Sequence, residues 1–236
     1  MIDTLGGRIK RYEKVYDQAL TPRSCLFIRV DGKAFHSYTK GAGKPFDWDI
    51  VQAMAVAAEE TAAHMQGFKA AYIQSDECTF MLTDFDGLET QGWFDYRLNK
   101  IVSVTASMYT AYFNRAISGT QFAIKNNPQP AIFDARAFIV PREEAPNVFI
   151  WRQRDWERNS VQMVARSLYS HKECEEKKIP ELHDMIFAKG QNWAKLDAML
   201  KNGTFLWNYG DGIARDFRKH TYNGIVNILE VVGVTL

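Results

Sequence analysis

Phe68-Lys69-Ala70-Ala71-Tyr72-Ile73-Gln74-Ser75-Asp76-Glu77-Cys78-Thr79-Phe80-Met81-Leu82 is two runs of strand-forming residues divided by a polar tetrapeptide. Such runs, bounded by turn formers, predict a hairpin with Phe68 to Ile73 and Cys78 to Leu82 as its arms. Upstream, Trp48 to Met65 carries Ile50, Met54, Ala58, Thr61 and Met65 on one side of a helix. Before it, Cys25 to Val30 is a short apolar strand closed by Asp31-Gly32. Downstream, Asp84 to Gly87 is a turn. Trp93 to Ile117 predicts one long helix striped by Phe94, Leu98, Ile101, Thr105, Met108, Tyr112 and Phe113. Ala131 to Val140 predicts a fourth strand. The order strand, helix, strand, strand, helix, strand predicts an α+β, ferredoxin-like (split βαβ) sheet with its helices on one face.

The flanks are less regular. Asp3 to Leu20 predicts a helix with Leu5, Ile9, Tyr12, Val15 and Tyr16 on one face, stopped by Thr21-Pro22. Lys40 to Pro45 has loop composition. Residues 141–172 read as mainly helical, and a charged loop from Ser170 leads to a helix over Pro180 to Ala188. The last forty residues mix Gly-containing turns with short apolar runs and receive no assignment. The expected organisation is a catalytic core over 1–140 and a mainly helical C-terminal extension over 141–236, forming one continuous globular unit.

Composition limits the function classes. Hydrophobic residues at 46% and charged residues at 24% describe an ordinary globular chain. A net charge of +1, from 29 Lys+Arg and 28 Asp+Glu, means that any nucleic-acid contact must come from a local patch. Cys25, Cys78 and Cys174 have no paired spacing and read as reduced thiols, with no disulfide framework or zinc site. The N-terminal stretch lacks the apolar core of a secretory signal, and no apolar run reaches membrane-span length. The expected location is cytoplasmic, with no membrane partner. The five histidines show no close metal-ligand spacing.

Chemistry concentrates at two strand ends. Asp31 follows the first predicted strand, and Asp76-Glu77 occupy the turn before the third. The first and third strands are neighbours in a ferredoxin-like sheet, so Asp31 and Asp76 are expected side by side. Mg²⁺ favours hard oxygen ligands, one or two carboxylates completed by water and substrate phosphates. Two such ions about 3.5–4 Å apart support in-line displacement at phosphorus, as in a polymerase palm. Asp-Gly and Ser-Asp-Glu are also ordinary turn sequences, so both readings stay open on spacing alone.

Longer motifs are more specific. Arg29-Val30-Asp31-Gly32-Lys33-Ala34-Phe35-His36 resembles the R-x-D-G-R/K-x-F-H opening of the tRNA-histidine guanylyltransferase family. Lys44-Pro45-x-Asp47 follows at the family's spacing, and Gln74-Ser75-Asp76-Glu77-Cys78-Thr79-Phe80 resembles its hairpin. Arg97, Lys100 and Ser103, then Phe133-Asp134-Ala135-Arg136 and Trp151-Arg152-Gln153, match later landmarks. The likeness spans roughly residues 5–205. Eukaryotic members carry His-Ile-Asn-Asn-Leu-Tyr-Asn after the W-R-Q landmark, whereas Glu157 to Met163 here keeps only Asn159. That departure is similar to the Thg1-like proteins of bacteria, archaea and phages, which favour repair of 5′-truncated tRNA over guanylate addition to tRNA-His.

The resemblance implies a template-dependent 3′–5′ nucleotidyltransferase acting on tRNA 5′ ends, with two Mg²⁺ ions and with ATP and GTP as substrates. It implies Asp31, the Gly32 carbonyl and Asp76 as metal ligands, with Asp31 and Asp76 catalytic. Lys33, Ala34, Phe35, His36 and Ser75 would join them around the nucleotide, and Lys44, Arg97 and Lys100 would neutralise triphosphate. Arg97 and Lys100 are three apart, as on one helical face, which is equally the pattern of a solvated face. Arg152, Arg154, Arg158, Asn159, Arg166 and Lys172 form a candidate RNA contact; the alternative is a helix with Trp151 and Trp156 in the core and its arginines solvated. The family analogy also implies a homo-oligomer, a tetramer. Two rival readings are a palm-fold nucleotide cyclase, whose hairpin would read Gly-Gly-Asp-Glu-Phe, and a non-catalytic RNA-binding palm, which would not need both aspartates.

Overall fold

Alternation along the strands determines which residues meet which helices. The computed structural model describes residues 4–210 and 212–235. In chain order the elements are α1 (Leu5–Lys14), β1 (Cys25–Gly32), α2 (Phe35–Tyr38), α3 (Trp48–Ala63), β2 (Phe68–Gln74), β3 (Glu77–Leu82), α4 (Leu98–Ile117), α5 (Gln121–Asn126) and β4 (Phe133–Val140). They continue with α6 (Ala145–Leu168), α7 (His171–Cys174), α8 (Ile179–Ala188), α9 (Ala198–Asn202), β5 (Thr204–Tyr209), β6 (Gly212–Asp216) and α10 (Tyr222–Val231). The six strands form one antiparallel sheet in the order β4-β1-β3-β2-β5-β6. The first and third strands are adjacent, as the split βαβ order requires.

Leu26, Ile28 and Val30 of β1 join Cys78, Phe80 and Leu82 of β3 in a core with Met54 and Ala58 of α3 and Ile101, Tyr109 and Phe113 of α4. The Tyr109 hydroxyl donates to the Met54 carbonyl at 2.8 Å, tying the two helices together beneath the sheet. The opposite strand faces carry Cys25, Phe27, Tyr72 and Met81, which meet Val148 and Phe149 of α6 and Ile225 and Leu229 of α10. Phe149 packs edge-on against both Phe27 (5.4 Å) and Phe205 (5.0 Å), and fully burying such a ring contributes about 1.5–3 kcal/mol. The two core helices cover one face and the C-terminal extension covers the other. Every residue of β2 and β3 is accordingly buried.

The elements differ from the sequence expectation in several places. Helix α1 stops at Lys14, and its apolar stripe, Leu5, Ile9, Tyr12, Val15 and Tyr16, is exposed; Asp3 lies outside the described residues. The helix expected from Trp93 begins at Leu98: Trp93–Tyr96 is a 3-10 turn in which Phe94, Asp95 and Tyr96 take positive φ. There the Tyr96 ring folds back over Gly92, 1.9 Å from where a Cβ would stand, so the turn mimics a helical stripe by burying Trp93 and Tyr96. Arg97 therefore caps α4 from outside and shares no helical face with Lys100. Lastly, the extension adds β5 and β6 to the sheet as well as helices.

Candidate active site

Four acids collect at one end of the sheet, and their partners sort them. Asp31 on β1 pairs in register with Glu77 on β3 and, on its other side, with Asp134 on β4. Like charges directly opposed across strands are destabilising, so each needs compensation. Glu77 is buried and receives both Arg152 Nε (2.6 Å) and Nη2 (2.9 Å), with Arg29 Nε at 3.7 Å. Asp134 meets Arg136 at 3.3 Å. Among the described residues, no cation pairs with Asp31 or with Asp76, which stands in the β2–β3 turn beside Ser75.

The Gly32 amide donates to the Asp76 carbonyl at 3.0 Å, which joins the two strand ends. Burial pushes the Asp76 carboxyl above the usual carboxylate range; hydrogen bonds from Ser75 and its own amide oppose this, and the charges of Asp31 and Glu77 add to it. Such a pair of uncompensated carboxylates is chemically suited to hard divalent cations. No cluster of three or more acid, His or Cys ligands exists among the described residues, so an ion here would need substrate oxygens or water to complete its shell. The donor set fits Mg²⁺ with a phosphate-bearing substrate. Gly32 has a second reason to lack a side chain: a Cβ would stand 2.3 Å from the Phe35 ring.

Next to Asp76 opens a cavity of about 430 Å³, within the range of small-molecule sites. His36, Lys44, Ser75 and Asp76 are polar members of its lining, and Phe46, Trp156, Met163 and Met199 are apolar ones. Asp47 shapes the Lys44 loop by accepting from the amides of Gly43 (2.7 Å) and Asp49 (3.1 Å), the second bond capping α3. The Trp156 indole donates to the Leu200 carbonyl at 3.1 Å and lies 5.9 Å from the Phe46 ring. Sequence reasoning missed these apolar lining residues. Trp156 and Met163 are seven apart on α6, a spacing that puts them on one face, but only the fold brings that face to Lys44.

Not all the expected residues converge. Phe35, His36, Lys44, Ser75 and Asp76 line this cavity, whereas Lys33 and Ala34 line a second one behind α2. Arg97 and Lys100 line a third hollow with Tyr16 and Ser103; Arg97 is paired with Asp17 at 2.9 Å, and Lys100 lies 4.7 Å from the Phe94 ring centre. The expected RNA patch on α6 also divides. Arg152 is 6% exposed and points into the sheet at Glu77, so it is not presented to RNA; a buried carboxylate draws it inward. Arg158 and Asn159 are both held by Asp155, the latter at 3.3 Å. Arg154, Arg166 and Lys172 are exposed. Of the two tryptophans that the alternative put in the core, Trp156 is buried, whereas Trp151 is exposed, with the guanidinium groups of Arg29 (5.5 Å) and Arg152 (4.4 Å) over its ring.

The model of the family described as Thg1, tRNAHis guanylyltransferase, matches residues 6–141. The chain is 28% identical over 216 residues to the tRNA(His) guanylyltransferase of Debaryomyces hansenii, covering 84% of this chain and 78% of that one. Among solved structures, a bacterial tRNA(His) guanylyltransferase (Thg1)-like protein in complex with ATP superposes with a TM-score of 0.90 at 35% identity, covering 98% of this chain and 100% of that one. A bacterial Thg1-like protein in complex with GTP gives 0.80 at 33% identity, with the same coverage. With a family model that matches more than half of its length and a solved relative that superposes over nearly all of it, the chain belongs to the Thg1 tRNA(His) guanylyltransferase family.

Proposed function

We propose that this chain is a template-dependent 3′–5′ nucleotidyltransferase that adds nucleotides to the 5′ end of tRNA. The observation that carries the reading is the uncompensated pair Asp31 and Asp76, of which Asp76 lines a nucleotide-sized cavity. Relatives solved with ATP and with GTP support both nucleotides as substrates. A 5′-monophosphate would attack the α-phosphorus of ATP and release pyrophosphate. The 3′ hydroxyl of the incoming nucleotide would then attack the activated 5′ phosphorus and release AMP; an RNA already triphosphorylated releases pyrophosphate instead.

Asp31, Asp76 and the Gly32 carbonyl would hold two Mg²⁺ ions, which when bound would neutralise phosphate charge and favour the alkoxide form of the attacking 3′ hydroxyl. The protein's own contribution is positional. Lys44 and His36 line the cavity and would meet phosphate, and Ser75 stands beside Asp76. Met163 and Met199 offer a base soft, adaptable contact, which suits an enzyme whose template selects the nucleotide. Repair of truncated tRNA is the preferred role over guanylate addition, on the departure between Glu157 and Met163.

We place the protein in the cytoplasm; no helix among the described residues is long and apolar enough to cross a membrane. A homo-oligomer is in keeping with the exposed apolar face of α1, and light scattering of the purified chain tests it. The activity test is a labelled-nucleotide assay on 5′-monophosphorylated tRNA lacking its first nucleotide, with Mg²⁺ and ATP. Template-matched 5′ addition, abolished by Asp76→Ala, is expected. A cyclic product from GTP without RNA would support the cyclase reading, and RNA binding without any nucleotide product would support the non-catalytic one.

A further inference from the structure

The second cavity, about 480 Å³, carries chemistry that the active site does not use. Helix α2 is the wall between the two: Phe35, His36 and Thr39 face the active-site cavity, while Ser37, Tyr38 and Lys40 face the other. Lys33 enters the second cavity only two residues after Asp31, its amide held by the Ile132 carbonyl at 2.8 Å. The far wall is Pro128-Gln129-Pro130, where each proline ring fixes φ and stiffens the segment.

Apart from Asn126, whose amide donates to the Phe122 carbonyl at 2.9 Å, its polar side chains are uncommitted. The side chains of Lys33, Lys40, Ser37 and Gln129 have no hydrogen-bond or ion-pair partner among the described residues. The Tyr38 hydroxyl is buried with no hydrogen-bond partner, and burial pushes its pKa up to about 12, so it stays a donor. No acid lines the cavity. Two free ammonium groups, a hydroxyl and an amide around a hollow without a carboxylate make an anion site, and lysine binds phosphate as a point charge.

From this we infer that the cavity behind α2 binds a backbone phosphate of the RNA whose 5′ end is presented to Asp31 and Asp76. The inference rests on the proposed function for the identity of the RNA. A helix is about 10–12 Å across with its side chains, which corresponds to about three nucleotides at 3.4 Å rise per residue of a strand. A strand with its end at Asp76 can therefore reach round α2 to Lys40 within a few phosphates. The same chemistry would also accept the triphosphate tail of a free nucleotide, and the experiment separates the two sources.

The experiment measures binding of 5′-monophosphorylated tRNA to the full chain by fluorescence anisotropy across a salt series, for wild type, Lys40→Ala and Gln129→Ala. KM for ATP and GTP in nucleotide addition is measured alongside. Lys40→Ala is expected to weaken tRNA binding several-fold and to lower the slope of log K against log salt by about one, with nucleotide KM unchanged. Gln129→Ala should weaken binding less and leave the slope unchanged, since it removes no charge. A raised nucleotide KM with unchanged tRNA binding would assign the site to triphosphate and overturn the RNA assignment. No change in either overturns the site altogether. Because anisotropy needs no turnover, a failure here is distinct from wild-type protein failing to add nucleotides.

Discussion

Gly32 shows how tightly one position is constrained. Its missing Cβ leaves room for the Phe35 ring, which is itself enclosed by Tyr38 (4.9 Å), Phe133 (5.4 Å) and Phe113 (5.6 Å). The ring has nowhere to swing, so Gly32→Ala must displace core side chains or the backbone between Asp31 and Phe35. We expect a loss of about 1–3 kcal/mol in urea-melt stability, the usual cost of overpacking, and a larger proportional loss of nucleotide addition. Wild-type stability in this variant would show that the ring relaxes freely. The motif made Gly32 and Asp31 legible in the sequence. What the sequence did not convey was which neighbouring acid would be neutralised: Glu77 and Asp76 are consecutive, yet one faces Arg152 and the other has no cation partner among the described residues.

Between elements, the W-R-Q run acts as a clamp between α6 and the sheet. Trp151 carries Arg29 and Arg152 over its ring, Arg152 grips Glu77 of β3, and Gln153 brackets the backbone of His220 through its N–H (2.8 Å) and carbonyl (3.3 Å). Removing one partner of a buried pair leaves the other charge uncompensated, at a cost of about 3–5 kcal/mol. Arg152→Ala should therefore lower the unfolding midpoint strongly. Arg152→Lys should recover only part of it, because an ammonium cannot reproduce the two-pronged contact. Arg154→Ala, on the exposed side of the same helix, should leave stability within about 0.5 kcal/mol. Helical periodicity puts these arginines, two residues apart, on opposite faces of α6, but it does not show what draws Arg152 inward, because that partner lies 75 positions away in the chain. For the same reason the four-strand core was readable, from alternation and helical stripes, while β5 was not. That strand is set by Gly203, whose φ of +75° brings its α-carbon close enough to the Ile73 carbonyl that a Cβ would stand 2.5 Å from the oxygen, a tertiary fact with no local signature.

At the scale of the whole molecule, stability depends on a C-terminal segment that closes over the second sheet face, and His220 makes that closure sensitive to pH. Its ring packs 5.1 Å from Phe205, with Asp216 at 3.6 Å, and its Nε2 is buried without a hydrogen bond. Burial lowers its pKa below the ordinary 6.5; Asp216 opposes the shift and Arg218 adds to it. The unfolded chain therefore binds a proton here at higher pH than the folded one does, so unfolding free energy rises with pH across that interval. The contribution is complete above about pH 6.5 and is lost as pH falls toward the folded-state pKa. Urea titrations between pH 5 and 7.5 should show wild type losing more stability on acidification than His220→Phe, which keeps the ring contact and removes the proton. Equal slopes would mean that the histidine is solvated when charged and that Asp216 alone secures the segment. Because Gln153 holds the His220 backbone from the clamp helix, the same acidification should also loosen α6 and, through Arg152 and Glu77, the turn that carries Asp76.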